Sequence, residues 1–443
     1  VQCPMTNANA QCPMTSVNRK IRIGKIMGDF FSPVPLFAWL SGALVAVLLE
    51  HLAGEDLSGF LGLDKIPVLF GCVVMLKEPT RIPGVIGYIF LIYAVPMICI
   101  GKLAAPLANR LASFLLKLPL TFATVLHLAL LFAVLHFWSD LSAYRVLILK
   151  LTLIAVMVTL SLNVINGYMG EFSCSHPGFM AVGAYGASIF TLVFFAKDRV
   201  FGPPLLPPEL GPYLFPVALI VGGLLAAVCA LVVAIPSFRT RGDYLAIISL
   251  AFMFIVKSAL ENLEVVGGSR GLGSQPGYAT LTTVFIWTVL CVWIINNFVR
   301  STLGKALNAV RDDESAAEAM TVNTRQTKMT AFLFGAFWAG VAGGLFAHVL
   351  RYVNPSTFGI QKLAEVLAMV YFGGLNSVFG SILGAVSLNL LGEALRPLEI
   401  FKWIIIPLLL ILVMIYRPTG LIAFREFDVR ALVSPRQKKE KQI

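Results

Sequence analysis

The sequence predicts an all-α fold, a polytopic transmembrane helical bundle of about ten spans with interrupted helices. Three observations lead to this fold class. Hydrophobic residues make up 58% of the chain and charged residues 13%, whereas soluble proteins average about 45–50% and about 25%. Apolar runs long enough to cross a hydrocarbon layer of about 30 Å recur along the chain. The basic residues behind the net charge of +11 lie in short loops between these runs, which is typical of the cytoplasmic face of a membrane rather than of nucleic-acid binding.

The N-terminal segment, residues 1–30, precedes the first apolar run. It contains Gln-Cys-Pro-Met-Thr at 2–6 and again at 11–15, followed by a basic stretch. No apolar run with a cleavage site stands here, so we expect no removable signal peptide. We assign no function to the duplication.

Ten apolar runs follow that are candidate spans. In chain order they cover residues 34–53, 85–101, 119–138, 146–166, 178–196, 213–236, 244–260, 283–299, 330–350 and 403–416. A further run at 66–76 is too short to cross a membrane alone. Small residues four positions apart predict close packing between helices. They are Gly183 and Ala187, Gly222 and Ala226, Ala336, Gly340 and Gly344, and Gly380 and Gly384.

The apolar segment 363–395 is interrupted by a glycine-rich stretch, residues 373–377, which would divide it into two short helices. Basic residues place the loops 102–117 and 300–328 and the tail after residue 416 on the cytoplasmic side. Counting spans between them requires the divided segment to enter and return on one side. We therefore expect a hairpin whose apex points into the membrane, with both of its flanking basic residues external. These residues are Lys362 and Arg396.

A second interruption follows the run at 146–166. Residues 166–179 contain three glycines and a proline, and broken backbone at membrane depth is tolerated only where protein or a water-filled cavity satisfies it. One interpretation is an ordinary loop, and the other is a break that lines a translocation route. The candidate route residues in the two interruptions are Asn166, Gly167, Gly170, Glu171, Ser173, Gly178, Gly373 and Gly374. A third glycine-rich stretch, residues 267–273, is predicted on the outer side, where a delivery partner or the substrate would meet it.

The cytoplasmic loop 300–328 contains a short sequence with helical character. Gly304 is expected to end the preceding span, and Asp312 or Asp313 to cap a helix running from Arg311 to Met320. A helix this short is marginal in water unless it packs against something. We interpret it as a socket for a partner protein, with a helix on the lipid surface as the alternative. The candidate residues are Gly304, Arg311, Asp312, Asp313, Glu314, Ala316, Ala317 and Met320.

Enzymatic chemistry finds little support in the sequence. The chain has no Gly-x-x-x-x-Gly-Lys-Ser/Thr phosphate loop, so it cannot hold ATP by that device. Its seven cysteines form no Cys-x-x-Cys pair, and its histidines and carboxylates do not cluster at metal-ligand spacing. We therefore expect no cofactor, no metal and no catalytic residue.

With these segments in place, the chain resembles permease subunits of branched-chain amino acid ABC importers, specifically the M-type subunit. The resemblance rests on the loop 300–328 and on four further stretches within residues 119–425. These are 167–185, 241–247, 370–377 and 416–421. The chain departs from the family pattern at Thr321, where Gly is usual, and at Glu171, Cys174 and Ser175 in the broken segment.

The resemblance implies that the chain forms one half of a transmembrane pore, paired with a homologous H-type permease. Two cytoplasmic ATP-binding subunits would dock on the loop 300–328, and a periplasmic substrate-binding protein would deliver the substrate. The complex would lie in the lipid bilayer of the bacterial inner membrane. Residues 119–425 would form the permease core, preceded by a cytoplasmic tail and variable extra spans (1–118) and followed by a basic cytoplasmic tail (426–443).

Three alternatives stay open. Within importers, urea or another small solute is an alternative to Leu, Ile and Val. An ion-coupled secondary transporter would need ionisable groups at membrane depth, and Lys150, Glu171, Lys257 and Glu393 are the few candidates. Snorkelling of the long side chain to the interface accounts for the two lysines. A membrane scaffold without transport activity is the third.

Overall fold

The computed structural model describes a largely helical chain. The described residues are 34–63, 66–67, 79–115, 119–196, 202–238, 244–417, 419–422, 428 and 430. The N-terminal duplication, most of the run at 66–76, residues 241–243 and most of the basic C-terminal tail lie outside them.

Fourteen α-helices organise the described residues. They are α1 Leu36–Phe60, α2 Ile82–Leu115, α3 Leu120–Asp140, α4 Ala143–Met169, α5 His176–Phe195, α6 Gly211–Ser237, α7 Tyr244–Asn262, α8 Leu281–Arg300, α9 Thr302–Asp312, α10 Glu314–Ala319, α11 Thr324–Leu350, α12 Ile360–Gly373, α13 Val378–Ala394 and α14 Glu399–Tyr416. Nine helices of the described chain, α1 to α8 and α11, are long and apolar enough to cross a membrane. The prediction of a polytopic helical bundle is confirmed.

Helix α2 differs from its prediction because it continues through most of a predicted loop. It has 34 residues, or about 51 Å at about 1.5 Å per residue, and it includes Lys102 and Arg110. The described part of 102–117 is therefore helical, and the prediction of a loop there is wrong. Leu and Ala dominate this stretch, and both favour helix, so the helix extends beyond the apolar run.

Residue contacts divide the chain into two compact units. One comprises residues 1–65, 86–137 and 428–443, and the other comprises 66–85 and 138–427. The predicted domain boundaries at 118 and 425 stay a prediction. In the first unit α1 packs on α2, and the carboxylate of Glu50 is fully buried. It accepts hydrogen bonds from Tyr88 Oη at 3.3 Å and from Tyr93 Oη.

The centre of the second unit is a close packing of α5, α6 and α11 at the predicted small residues. Gly183 lies directly against the backbone of Gly340. A Cβ at Gly222 would stand 2.7 Å from the carbonyl oxygen of Gly183, and a Cβ at Gly340 would stand 2.5 Å from Ala226 Cβ. These contacts confirm the prediction of helix packing through small residues.

Helices α12 and α13 form the predicted hairpin. They pack through Gly373, which lies against Gly380 and Gly384, and Ser377 Oγ caps α13 by accepting a hydrogen bond from Gly380 N at 3.1 Å. Their outer ends lie together, because Lys362 on α12 and Glu393 on α13 line one cavity. The hairpin is confirmed, whereas its external orientation stays a prediction.

The apex of the hairpin contacts the segment that follows α14. Helices of 14 and 17 residues are about 21 and 25 Å long. Leu421 N and Ile422 N, in the segment after α14, donate to the carbonyls of Phe372 and Gly373 at 3.1 and 3.0 Å. The apex therefore reaches the end of the unit at which α14 ends, which the sequence places on the cytoplasmic side.

The glycine-rich stretch 267–273 forms 3₁₀ turns and one short strand. The strand, β1 Leu272–Gly273, pairs antiparallel with β2 Tyr352–Val353. Residues 267–271 match Gly-x-Ser-x-Gly by spacing, but they lie in 3₁₀ turns. A nucleophile elbow requires a turn from strand to helix, so this stretch is not one.

Candidate functional site: the helix break and the coupling segment

The end of α4 is a widened helical turn tied to the hairpin apex. Residues Val164–Met169 form π-helix. Asn163, just before it, forms hydrogen bonds through both the nitrogen and the oxygen of its side-chain amide. Its Nδ2 donates to Ser377 O at 3.1 Å and to Ser381 Oγ at 2.7 Å, and its Oδ1 accepts from Asn376 N at 3.2 Å. The two predicted interruptions are thus in direct contact.

The chain between α4 and α5 has no regular secondary structure, and side chains satisfy part of its backbone. Gly170 adopts a left-handed conformation (φ 77°) that ends the helix. Asn166 Oδ1 accepts from Ser173 N at 3.2 Å, and Ser249 Oγ accepts from Cys174 N at 2.9 Å. These side chains supply hydrogen-bond partners to backbone N–H groups of the break, as a break at membrane depth requires.

The coupling segment consists of α9 and α10 rather than one helix from Arg311 to Met320. Ser301 Oγ caps α9 by accepting from Gly304 N, so Gly304 lies inside the first turn of α9 and does not end α8. Arg311 and Asp312 are the last residues of α9. Asp313 caps α10 by accepting from Ala316 N at 3.0 Å, as predicted. Two predictions were therefore wrong, that Gly304 ends the preceding span and that one helix runs from Arg311 to Met320, because Ser301 and Asp313 each begin a separate helix by capping it.

Arg311 connects α9 to the break after α4. Its Nη1 donates to Gly167 O at 3.3 Å, and its methylene groups lie directly on Gly170. The same guanidinium pairs with Asp312 at 2.8 Å. A side chain at position 170 would collide with Arg311, so this glycine provides the space for the contact.

Lys328, near the start of α11, forms a second connection. Its Nζ donates to Glu171 Oε1 at 2.8 Å and to Glu314 Oε2 at 3.0 Å. The lysine side chain is 12% exposed and that of Glu314 is 48% exposed. One ammonium group therefore joins the break to the first residue of α10.

The surface of α10 divides into a buried side and an exposed side. Ala317 is 4% exposed and faces the rest of the chain, whereas Ala316 is exposed and Met320 is 77% exposed. The assignment of Ala317 to a partner contact is wrong, because its side chain is already enclosed. Thr321 follows with φ 66°, a left-handed conformation that β-branched residues rarely adopt, and this is the position where the family pattern has glycine.

Most of the predicted route residues are packed inside the chain. Gly167 faces Asn163 and Asn376, Gly373 faces Gly380, and a Cβ at Gly178 would stand 3.1 Å from the ring of Phe252. The others that are buried are Asn166, Ser173 and Gly374. Gly170 and Glu171 retain accessible surface. The buried glycines permit close approach of neighbouring segments, so only the last two stay candidates for a route within this chain.

Sequence reasoning missed two residues that connect these segments, Asn163 and Lys328. Asn163 is one of two asparagines in the apolar run 146–166, and an amide side chain in such a run was the signal that could have identified it. Lys328 lies in the predicted loop 300–328, and nothing in the sequence around it indicates a carboxylate partner 157 residues earlier. Among the described residues, no group of three His, Cys, Asp or Glu side chains is placed to hold a metal ion.

The chain is similar to known transport permeases. Residues 144–415 match the family model described as branched-chain amino acid transport system, permease component. The LivM permease of the high-affinity branched-chain amino acid transport system of Escherichia coli K12 is 33% identical over 310 residues, 62% of this chain and 69% of that protein. LivM of Salmonella typhimurium LT2 is 32% identical with the same coverage. A probable LivM of Methanocaldococcus jannaschii is 22% identical over 64% of this chain and 93% of its own length. No solved structure gives a significant match.

Proposed function

Because the chain belongs to the family of permease components of branched-chain amino acid transport systems, we propose that it is one half of the translocation pathway of an ATP-driven importer for Leu, Ile and Val. A homologous H-type permease forms the other half. Two cytoplasmic ATP-binding subunits hydrolyse ATP, and a periplasmic binding protein supplies the amino acid. The complex lies in the bacterial inner membrane.

The observation that carries this proposal is the double connection between the coupling segment and the helix break. Arg311 joins α9 to the carbonyl of Gly167, and Lys328 joins α10 to Glu171. When an ATP-binding subunit moves α10, these contacts transmit the displacement to the end of α4. Through Asn163 the same displacement reaches the apex of the hairpin. Gly170 and Glu171, on the accessible side of the break, then lie where the route opens and closes.

The same contacts weigh against an ion-coupled transporter. Glu171 is one of the candidate ionisable groups for that alternative, and it is paired with Lys328 at 2.8 Å. A coupling-ion site needs an ionisable group that gains and loses its ion during transport. Glu171 instead forms an ion pair with a lysine of the same chain.

Reconstitution into liposomes tests the proposed function. We expect leucine import only when both permeases, both ATP-binding subunits, the binding protein and ATP are present, with no effect of ionophores that dissipate proton or sodium gradients. Omitting the ATP-binding subunits is the control. Import by this subunit alone along an ion gradient would contradict the proposal, and import of urea in place of leucine would change its substrate.

Replacing Lys328 tests the transmission. In Lys328→Ala we expect ATP hydrolysis to continue while leucine imported per ATP falls at least tenfold, because each of the two hydrogen bonds to a charged group contributes about 1.5–3 kcal/mol and about 1.4 kcal/mol already corresponds to tenfold. Lys328→Arg should retain most transport. Lys305→Ala, at an exposed position of α9, is the matched control. Equal coupling ratios in all three variants would exclude Lys328 from the transmission.

A further inference from the structure

The helical hairpin and α4 enclose a cavity at the end of the second unit opposite the apex. Its volume is about 100 Å³, and a single water needs about 10–15 Å³ by the same measure, so it has room for a small solute. The face of α4 that lines it carries Leu151, Ile154, Ala155 and Val158 at helical spacing. Met180, Phe346, Val366 and Met369 complete this apolar floor.

The rim of the cavity is polar and carries both signs of charge. Lys362 and Glu365 come from α12, and Asn389 and Glu393 come from α13. Lys362 Nζ lies 3.0 Å from Glu365 Oε2 and 5.6 Å from the centroid of the Phe346 ring. The cation therefore stands at the border between the rim and the floor.

Contacts outside the cavity hold the α13 side of the rim in place. Tyr144 Oη donates to Glu393 Oε2 at 2.9 Å, and Arg396 Nη1 lies 3.6 Å from the same oxygen. Asn389 Nδ2 donates to Thr152 Oγ1 at 2.6 Å. With Arg396 included, the two cations and two carboxylates balance, so the rim favours neither a net anion nor a net cation.

We propose that this cavity binds an α-amino acid with an aliphatic side chain, so that the permease itself has a substrate site. The α-carboxylate pairs with Lys362, the α-ammonium group meets Glu365 and Glu393, and the aliphatic side chain enters the floor. Small-ligand sites combine an apolar lining with a few placed polar groups in this way. The inference rests on the proposed function and deepens it, because a solute such as urea has no group that would occupy the apolar floor.

Binding measurements on the assembled complex test the cavity. The complex of both permeases and both ATP-binding subunits is placed in lipid nanodiscs without the binding protein, and L-leucine is titrated against L-leucine amide, which lacks the carboxylate. We expect Lys362→Met to weaken leucine binding at least tenfold and to leave leucine amide binding unchanged. Lys257→Met is the matched control, since Lys257 forms a similar pair with Glu261 on α7 at 3.7 Å and does not line the cavity. It should bind leucine like the unmodified complex.

A second variant tests the floor independently of charge and serves if Lys362→Met fails to assemble. Ala155→Phe places a ring in the cavity, so we expect loss of leucine and isoleucine binding while alanine still binds. Assembly of each variant is checked by size-exclusion chromatography with the partner subunits. Unchanged leucine binding in the assembled variants, or leucine amide binding as tight as leucine, would overturn the inference.

The two proposals can fail separately. If the unmodified complex with its binding protein imports no branched-chain amino acid, the proposed function fails. If it imports leucine and the cavity variants neither bind nor import differently from the unmodified complex, only the cavity inference fails.

Discussion

An Ala316→Arg variant is expected to insert and pair with the second permease normally, yet to lose the ATP-binding subunits and all ATP-driven uptake. Ala316 lies on the exposed side of α10, where a small side chain lets a partner approach the helix backbone. A guanidinium there would prevent this approach and would have to be desolvated if the partner still bound. Copurification of the ATP-binding subunits after solubilisation measures the effect, with an expected loss of at least tenfold, or about 1.4 kcal/mol.

The choice of position decides what this experiment means. Ala317 is enclosed by the chain's own residues, so Ala317→Arg would disturb the permease itself and its failure to dock would be ambiguous. Ala316→Ser keeps the side chain small and serves as the control. Retention of both ATP-binding subunits and of substrate-stimulated hydrolysis by Ala316→Arg would show that α10 is not the docking helix.

A Gly183→Val variant is expected to lose the folded permease rather than its activity alone. A side chain at Gly183 would overlap the Cα and carbonyl of Gly340 on α11. Backbone atoms cannot move aside as a side-chain rotamer can, so we expect a cost at or above the usual range for overpacking, about 1–3 kcal/mol. Thermal unfolding in detergent measures it, together with the yield of monodisperse protein.

Gly59→Val is the matched control for this experiment. Gly59 also lies in a long apolar helix, but a Cβ there meets no atom within 4 Å. Both variants change glycine to a β-branched residue in a helix and share that change in propensity. Equal unfolding temperatures for the two variants would contradict the packing role of Gly183.

The positions of the spans and of their interruptions could be predicted because both signals are local. An apolar run of membrane length and a cluster of glycines are visible within about twenty residues. The close packing at Gly183 and Gly340 could also be predicted, because small residues four positions apart mark the helix faces that approach each other most closely. By contrast, α2 continues beyond its apolar run because the following residues favour helix. Hydropathy does not report helix propensity, so the end of α2 could not be predicted from it.

Two features of α9 and α10 could not be predicted from the sequence, the side of α10 that packs inward and the ion pair that joins it to the helix break. Which side of α10 packs inward depends on the neighbouring helices, so Ala316 and Ala317 could not be distinguished from their own positions. The pairing of Lys328 with Glu171 joins residues 157 positions apart, and either charge alone fits a solvated loop. The cavity rim likewise depends on the approach of α12 and α13 to α4, which no single stretch of sequence encodes.

The hydrogen bonds from Leu421 and Ile422 to the hairpin apex have a consequence for biosynthesis. Translation delivers the hairpin first and the segment that fastens its apex only after α14. During that interval the carbonyls of Phe372 and Gly373 lack these partners. We therefore expect the hairpin apex to reach its final packing only after α14 has entered the membrane. Closure of the apex is then a late event in folding, and a chain released before residue 421 would leave the hairpin open at that end.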